Sequence, residues 1–305
     1  MTPTRARLCQ RPLRPLRLRH PLRACAWGLG VWTALALIGS MAEAADLSSS
    51  AHAGAPGTSS VYLEDLTSPQ VKQLVESGTT TVLVPIGGTE QNGPYMVLGK
   101  HNERARVLAG RIAERAGHAL VAPVIAYVPE GRIDPPVAHM RFAGTLSIST
   151  PVFEGLLEDT ARSLRQHGFR EIFFLGDHGG YQRSEERVAD RLNKAWGRQA
   201  GCHVHALAPY YRVTQTDYVA ALKQRGFSAA EIGTHAGLAD TSLSLAVDPA
   251  LVRVQALQHA PRPSPDEGVY GDPRRASAEL GRIGVDMIVN ASVGAIVETR
   301  RHDAP

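Results

Sequence analysis

Three short segments of the chain combine glycine with side chains that can bind a metal or move a proton. These residues are Glu90 and His101, Asp177 and His178, and His235 and Asp240. The first two segments each follow an apolar run, 82–86 and 171–175, of the kind that forms a buried strand. Because ligands of α/β proteins bind at the carboxyl ends of strands, we expect these loops to form a site there. Carboxylate and imidazole groups beside glycine predict that this site binds a metal.

Glu90, His101 and His178 supply one carboxylate and two imidazoles. This composition suits a catalytic Zn²⁺ with an open position for water, and also Mn²⁺ or Fe²⁺. Each histidine could instead serve only as a hydrogen-bonding group of its loop. The chain has no H-E-x-x-H or C-x-x-C motif, no G-x-S-x-G motif and no G-x-G-x-x-G motif after a strand. Compact zinc motifs, a serine-hydrolase elbow and a dinucleotide fold are therefore unsupported.

Residues 1–45 are predicted to be a cleavable export signal. Seven arginines precede an apolar stretch at 26–41, and Ala42-Glu43-Ala44 is a cleavage signal. The apolar stretch is short for a membrane span, although a retained anchor is the alternative. We expect a periplasmic or secreted protein with no membrane attachment after cleavage.

Removal of the signal changes the charge and the cysteine content. The full chain has 33 Lys and Arg residues against 29 Asp and Glu residues, but residues 1–44 contain seven of these arginines and only one acid. The mature chain is therefore slightly acidic, which gives no support for a nucleic-acid or membrane partner. Of the three cysteines only Cys202 remains, so we expect no internal disulfide and a fold stabilised by its core.

Strand-like and helix-like segments alternate after a flexible lead-in at 46–60. The predicted strands are 82–86, 120–127, 171–175 and 202–207, and the predicted helices are 68–77, 102–116, 150–167, 185–197, 217–224 and 273–290. This alternation predicts a single α/β domain over 61–300, with a mostly parallel sheet in a three-layer α/β/α arrangement. Two long segments rich in proline and glycine, 131–141 and 260–271, could be functional loops or plain surface excursions.

Five motifs occur in the order typical of one enzyme family. They are Gly88-Thr89-Glu90-Gln91-Asn92-Gly93-Pro94 with Leu98-Gly99-Lys100-His101, Phe142-Ala143-Gly144-Thr145-Leu146-Ser147, Gly176-Asp177-His178-Gly179-Gly180, His235-Ala236-Gly237 with Asp240-Thr241-Ser242, and Gly268-Val269-Tyr270-Gly271-Asp272-Pro273. Over residues 60–290 the chain thus resembles the creatininase family, creatinine amidohydrolase and its relatives.

The resemblance implies a dinuclear Zn or Mn site, a hexamer as in several members, and hydrolysis of non-peptide C–N bonds. It implies that Glu90 and His178 are metal ligands, and that Asp240 replaces a glutamate that supports or binds the second metal. His101 and Asn92 stand where a bridging aspartate and a ligand histidine are expected. A neutral imidazole has one free lone pair and cannot bridge two ions, and a carboxamide is a weak ligand. We therefore expect one ion per subunit, most favourably Zn²⁺, bound by Glu90, His101 and His178, with Asp240 as a further ligand or as the base.

The predicted reaction is hydrolysis of a small linear or cyclic amide by water activated on the metal. Asp240 or His235 would pass the proton to the leaving nitrogen, although His235 could make only a structural hydrogen bond. Creatinine itself is not the expected substrate, because the residues on the substrate side do not match the family. The changes at Asn92 and His101 leave open a non-catalytic protein that binds a small molecule or a metal. Two histidines and one carboxylate also suit non-haem Fe²⁺.

Overall fold

The computed structural model describes residues 60–197 and 201–302; the predicted signal and residues 46–59 of the lead-in lie outside them. The strands are β1 (Thr81–Ile86), β2 (Ala119–Val121), β3 (Glu171–Gly176) and β4 (His203–Ala206). The helices are α1 (Ser68–Glu76), α2 (Lys100–Ala116), α3 (Thr150–Gln166), α4 (Gln182–Trp196), α5 (Ala208–Gln215), α6 (Asp217–Gln224), α7 (Ala229–Ile232), α8 (Leu238–Val247), α9 (Val254–Gln258) and α10 (Ala278–His302).

The four strands form one parallel sheet in the order β2-β1-β3-β4. Strands β1 and β3 are central neighbours, and their register runs from Thr81 opposite Glu171 to Ile86 opposite Gly176. They therefore end level with each other. The loops that follow them leave the same edge of the sheet, as the sequence predicts.

Side chains of β1 alternate between two separate hydrophobic cores. Leu83 packs in a core with residues of α2, α5, α6, α8 and α10. Val82 and Val84 pack on the other face, in a core with residues of α3 and α4. A parallel sheet between two helical layers confirms the predicted three-layer α/β/α fold.

Helix α10 is the one helix of the described residues that is long and apolar enough, by length and composition, to cross a membrane, over Ala278–Arg301. Its residues Val285, Ile288 and Ile296 are nevertheless buried in the core shared with α2 and α8. Packing in the core accounts for the apolar composition of this helix.

Several element boundaries differ from the predictions. The predicted strand 120–127 is shortened to β2, because Pro123 has no N–H to donate to a neighbouring strand. The predicted helix 273–290 begins only at Ala278, since Pro273 opens a short 3₁₀ turn instead. Helices α5, α7, α8 and α9 were not predicted from the sequence. Of these, α8 matters most for function because it carries Asp240.

Helix α2 begins two residues before the predicted start, which places Lys100 and His101 in its first turn. Gly87, directly after β1, allows the helix to approach this closely. A Cβ atom at Gly87 would lie 2.7 Å from the Cα atom of Asn102, nearer than real side chains come. The end of β1 is thus held against the start of α2.

Candidate metal centre

The ends of β1 and β3, the first turns of α2 and the start of α8 meet at one buried cluster of charged groups. Its members are Glu90, Lys100, His101, Arg104, Glu130, His139, Asp177, His178, His235 and Asp240. The structure therefore brings together all five site residues predicted from the sequence: Glu90, His101, His178, His235 and Asp240.

Glu90, His139 and His178 form the group best placed to hold a metal. One ligand atom from each lies within 4.8 Å of the others. Glu90 is completely buried, and its Oε2 atom lies 3.2 Å from Nε2 of His139 and 3.8 Å from Nε2 of His178. Within the described residues this oxygen has no hydrogen-bond partner. A buried carboxylate oxygen without a partner is destabilising, and a cation bound by these three side chains would satisfy it.

These three side chains are in the protonation states that a metal requires. Burial lowers the pKa of His178 to about 3 and also lowers the pKa of His139, so both rings are neutral near pH 7. Burial would raise the pKa of Glu90, but the hydrogen bond and charge of His101 and the charge of Lys100 hold this pKa well below its ordinary value. A carboxylate and two neutral imidazoles can therefore bind a metal without releasing a proton.

Glu130 is a second acid beside this group. Its side chain is buried, and neither carboxylate oxygen has a hydrogen-bond partner within the part of the chain that the structure describes. Its Oε2 atom lies 3.8 Å from Nδ1 of His178. Burial and the negative charge of Glu90 raise the pKa of Glu130 to about 9. Glu130 is therefore protonated at neutral pH in the metal-free protein.

His101 lies between two carboxylates. Its Nε2 is 2.8 Å from Oε1 of Glu90, and its Nδ1 is 2.6 Å from Oδ2 of Asp177. A ring that donates from both nitrogens has no lone pair left for a metal. The geometry therefore favours His139 over His101 as the second imidazole ligand, and the ligand role of His101 stays a prediction.

Asp240 is held by two cations of helix α2. Lys100 Nζ donates to Oδ2, and Arg104 donates to Oδ1 over 2.7 Å. The backbone N–H of Ala236 also donates to Oδ2, over 3.0 Å. Burial would raise the pKa of Asp240, but the charges of Lys100 and Arg104 hold it well below its ordinary value. A carboxylate paired in this way is a weak proton acceptor, and its role as ligand or base stays a prediction.

His235 faces the same centre from the segment before α8. Its Nε2 lies 2.9 Å from the backbone oxygen of Gln91, which can only accept, so Nε2 carries the hydrogen. The other nitrogen, Nδ1, keeps its lone pair and lies 3.7 Å from Oε1 of Glu90. Burial, followed by the charge of Lys100, lowers the pKa of His235 to about 4. The neutral ring is therefore placed to accept a proton.

His139 is the functional candidate that the sequence analysis missed. It lies in the short 3₁₀ turn Ala138–Arg141, within the long segment 131–141. The side-chain amide nitrogen of Gln91 lies 3.1 Å from its Nδ1, and the backbone oxygen of Gln91 accepts from Nε2 of His235, so Gln91 positions both rings. Two signals could have indicated His139: the unusual length of the loop, and its position three residues before the motif that begins at Phe142.

A cleft of about 130 Å³ opens beside the centre. The charged and titratable residues at its wall include Lys100, Arg104, His178, His235 and Asp240, and the aromatic wall consists of Tyr210, Tyr211 and Tyr218. A space of this size admits a small molecule or the end of a longer one. Its walls offer aromatic contact on one side and polar groups on the other.

The creatinine amidohydrolase (creatininase) profile matches residues 64–296. The chain belongs to the creatininase family of amidohydrolases, which confirms the resemblance found in its motifs. The protein is thus a hydrolase by family.

Two relatives and two solved structures show the range of this family. A mycofactocin precursor peptide peptidase from Mycobacterium tuberculosis is 30% identical over 235 residues, which cover 68% of this chain and 80% of the relative. Creatinine amidohydrolase from Pseudomonas putida is 28% identical over 259 residues, which cover 78% of this chain and 97% of the relative. A manganese creatininase structure has a TM-score of 0.62 at 25% identity, covering 81% of this chain and 100% of that chain. A creatininase structure of the Zn–Zn type shares the fold with a TM-score of 0.61 at 24% identity. The match covers 81% of this chain and 100% of that chain.

Proposed function

We propose that this protein is a metal-dependent amidohydrolase that cleaves a non-peptide C–N bond of a small amide with one divalent ion per subunit. The observation that carries this proposal is the convergence of Glu90, His139 and His178 around an unpartnered, fully buried carboxylate oxygen. Two imidazoles and one carboxylate match catalytic zinc sites that keep a position open. Zn²⁺ is therefore the expected ion, and Mn²⁺ is the alternative.

A bound divalent ion would supply a more acidic water and polarise the carbonyl group of the substrate. The protein must then move one proton. Water adds to the carbonyl carbon and gives up a proton, the C–N bond breaks, and the leaving nitrogen takes a proton, which yields an acid and an amine. His235 is the best-placed carrier, because Nδ1 is free, faces Glu90 and borders the cleft.

The other charged residues position this machinery. Asp177 accepts hydrogen bonds from Arg104 over 2.8 Å and from Tyr210 over 2.9 Å, and it also contacts His101. His101 in turn fixes Glu90 through Oε1 and leaves Oε2 for the metal. Such support for the ligands sets their orientation and typically changes metal affinity or activity ~10–100-fold.

A second candidate reaction is hydrolysis of a peptide bond near a chain end. The 30% identity to mycofactocin precursor peptide peptidases favours it. The cleft admits either a small amide or the end of a peptide, and the match to the creatinine amidohydrolase profile favours the small amide. Creatinine is a less favoured substrate than other cyclic amides, as the sequence indicates.

The test uses protein purified without chelator, with its metal content measured by elemental analysis. Cyclic amides, imides and formamides are compared with short peptides, and the released amine is quantified by mass spectrometry. We expect turnover of at least one small amide that stops on chelation and returns with Zn²⁺ or Mn²⁺. Turnover of peptides alone would select the second candidate, and a protein that holds no metal would contradict both.

We also propose export with cleavage near Ala44. The arginine-rich start, the apolar stretch and the Ala42-Glu43-Ala44 signal support it. N-terminal sequencing of the protein from a periplasmic fraction tests this proposal, and an intact Met1 would contradict it.

A further inference from the structure

The acids of the cluster fall into two groups that differ in how their charge is balanced. In the first group, here called the paired side, Asp177 and Asp240 contact Lys100, His101 and Arg104. In the second, here called the open side, Oε2 of Glu90 faces His139 and His178, and Oε2 of Glu130 faces His178. These two oxygens and Oε1 of Glu130 have no hydrogen-bond partner within the described residues. Only the open side therefore calls for a cation that the chain does not supply.

Lys100 lies where the two sides meet. Its side chain is 1% exposed, and its ammonium group contacts Oδ2 of Asp240 and lies 3.7 Å from Oε1 of Glu90. One positive charge thus lies between carboxylates of two different elements, the loop after β1 and helix α8. A bridging metal ion would use the same kind of oxygens from both.

Arg104 extends the same arrangement one helical turn further along α2. Its guanidinium lies 2.7 Å from Oδ2 of Asp177 and 2.7 Å from Oδ1 of Asp240. Residues four apart lie on one face of a helix, so Lys100 and Arg104 enter the cluster together. Both are buried.

The net charge of the cluster can be balanced by one divalent ion. Its four acids, Glu90, Glu130, Asp177 and Asp240, face only two fixed cations, Lys100 and Arg104. The deficit is two positive charges when all four acids are ionised, and one while Glu130 is protonated, as it is in the metal-free protein. A single divalent ion meets this deficit. A second one would place unbalanced positive charge in a buried site, which is strongly destabilising.

We propose that the ammonium of Lys100, supported by Arg104, takes the place of a second metal ion in this site. The creatininase structure of the Zn–Zn type shows that the fold can hold two ions; here the residues present do not fit the second one. The inference rests on the proposed function, since it assumes that the open side binds the first ion.

The experiment measures Zn²⁺ per chain in the full-length mature protein after dialysis against excess Zn²⁺, by elemental analysis. Wild-type protein should hold one equivalent. Lys100→Ala removes the ammonium and opens space between Glu90 and Asp240, so it should hold two. Lys100→Met removes the charge but keeps the volume, so it should stay at one. Lys72→Ala, at an exposed lysine of α1, is the control and should match the wild type.

A second measurement does not need Lys100→Ala to fold well. Added Zn²⁺ should raise the melting temperature of Lys100→Ala more than that of the wild type, because a second ion binds only the folded form. Two equivalents in the wild type, or one in Lys100→Ala, would overturn the inference while leaving the proposed function standing. No bound Zn²⁺ in the wild type would instead overturn the proposed function.

Discussion

The open side and the paired side contain similar residues but are in opposite electrostatic conditions. On the paired side, each carboxylate of Asp177 and Asp240 has hydrogen-bond donors from the chain itself. On the open side, Glu90 and Glu130 are buried, and Oε2 of Glu90 and both oxygens of Glu130 receive no hydrogen bond from a lysine, an arginine or a backbone N–H of the described residues. This difference in hydrogen bonding distinguishes acids that stabilise the site from acids that are available to bind a ligand. Burial and charge alone do not distinguish these two roles, whereas the unpaired oxygen does.

The largest effect is expected from the ligands of the open side. His178→Ala and His139→Ala should each lose the metal and with it essentially all activity, because each removes one ligand of three. Elemental analysis and amide turnover measure this. His167→Ala, at an exposed histidine after α3, should keep both. Full metal content in His139→Ala together with its loss in His101→Ala would reverse the assignment of His139 and His101.

Substitutions on the paired side should mainly lower the stability of the folded protein. Arg104→Met removes one partner of a buried ion pair and leaves Asp177 and Asp240 undercompensated. We expect a loss of ~3–5 kcal/mol in the free energy of unfolding. Urea denaturation of the metal-free protein measures it. Arg106→Met, two residues along on an exposed part of α2, should change that free energy by less than about 0.5 kcal/mol. Equal effects at the two positions would remove the distinction on which the paired side rests.

A smaller effect is expected for Asp240→Asn. The change keeps the volume and a hydrogen-bond acceptor for Ala236, but it deletes the charge that pairs with Lys100 and Arg104. Turnover of the amide substrate should fall by ~10²-fold, the upper end for a residue that supports a metal site. Asp266→Asn, at an exposed aspartate, is the matched control. Wild-type turnover in Asp240→Asn would show that this carboxylate has no part in catalysis.

The smallest expected effect is a change in how the free energy of unfolding depends on pH. The pKa of Glu130 is raised to about 9 in the folded metal-free protein, above its ordinary value of 4.5. Between these values the folded state holds a proton that the unfolded state has released, so this group lowers stability as the pH rises. Glu130→Gln should remove that contribution. In metal-free protein, the slope of unfolding free energy against pH between 5 and 8 should become more positive by up to ~1.4 kcal/mol per unit. Identical slopes in the two proteins would show that Glu130 is not held protonated.

The sheet and the loops at its edge could be predicted because the signal is local. The apolar runs of β1 and β3 and the glycines after them define strand ends in the sequence itself, and parallel pairing brings those ends together. Glu90 and His178 follow directly from that argument. The three-layer arrangement follows from the alternation of strands and helices.

The division into two sides could not be predicted, because it depends on contacts between distant residues. Whether His101 has a free lone pair is decided by Asp177, which lies on another strand's loop. The start of α2 also gave no signal, since Gly99 makes no side-chain cap. One clue was available in the sequence: Lys100 and Arg104 lie on the same helical row as buried Leu108 and Ile112, where charged residues are unusual.

Because Lys100 and Arg104 belong to the polypeptide, the charge they contribute cannot be diluted or chelated away. Stripping the metal would therefore empty only the open side and leave Asp177 and Asp240 compensated. The apoprotein would keep most of its ligand geometry and take up a new ion without rebuilding the cluster. Removal and return of the ion would then be reversible without unfolding of the protein.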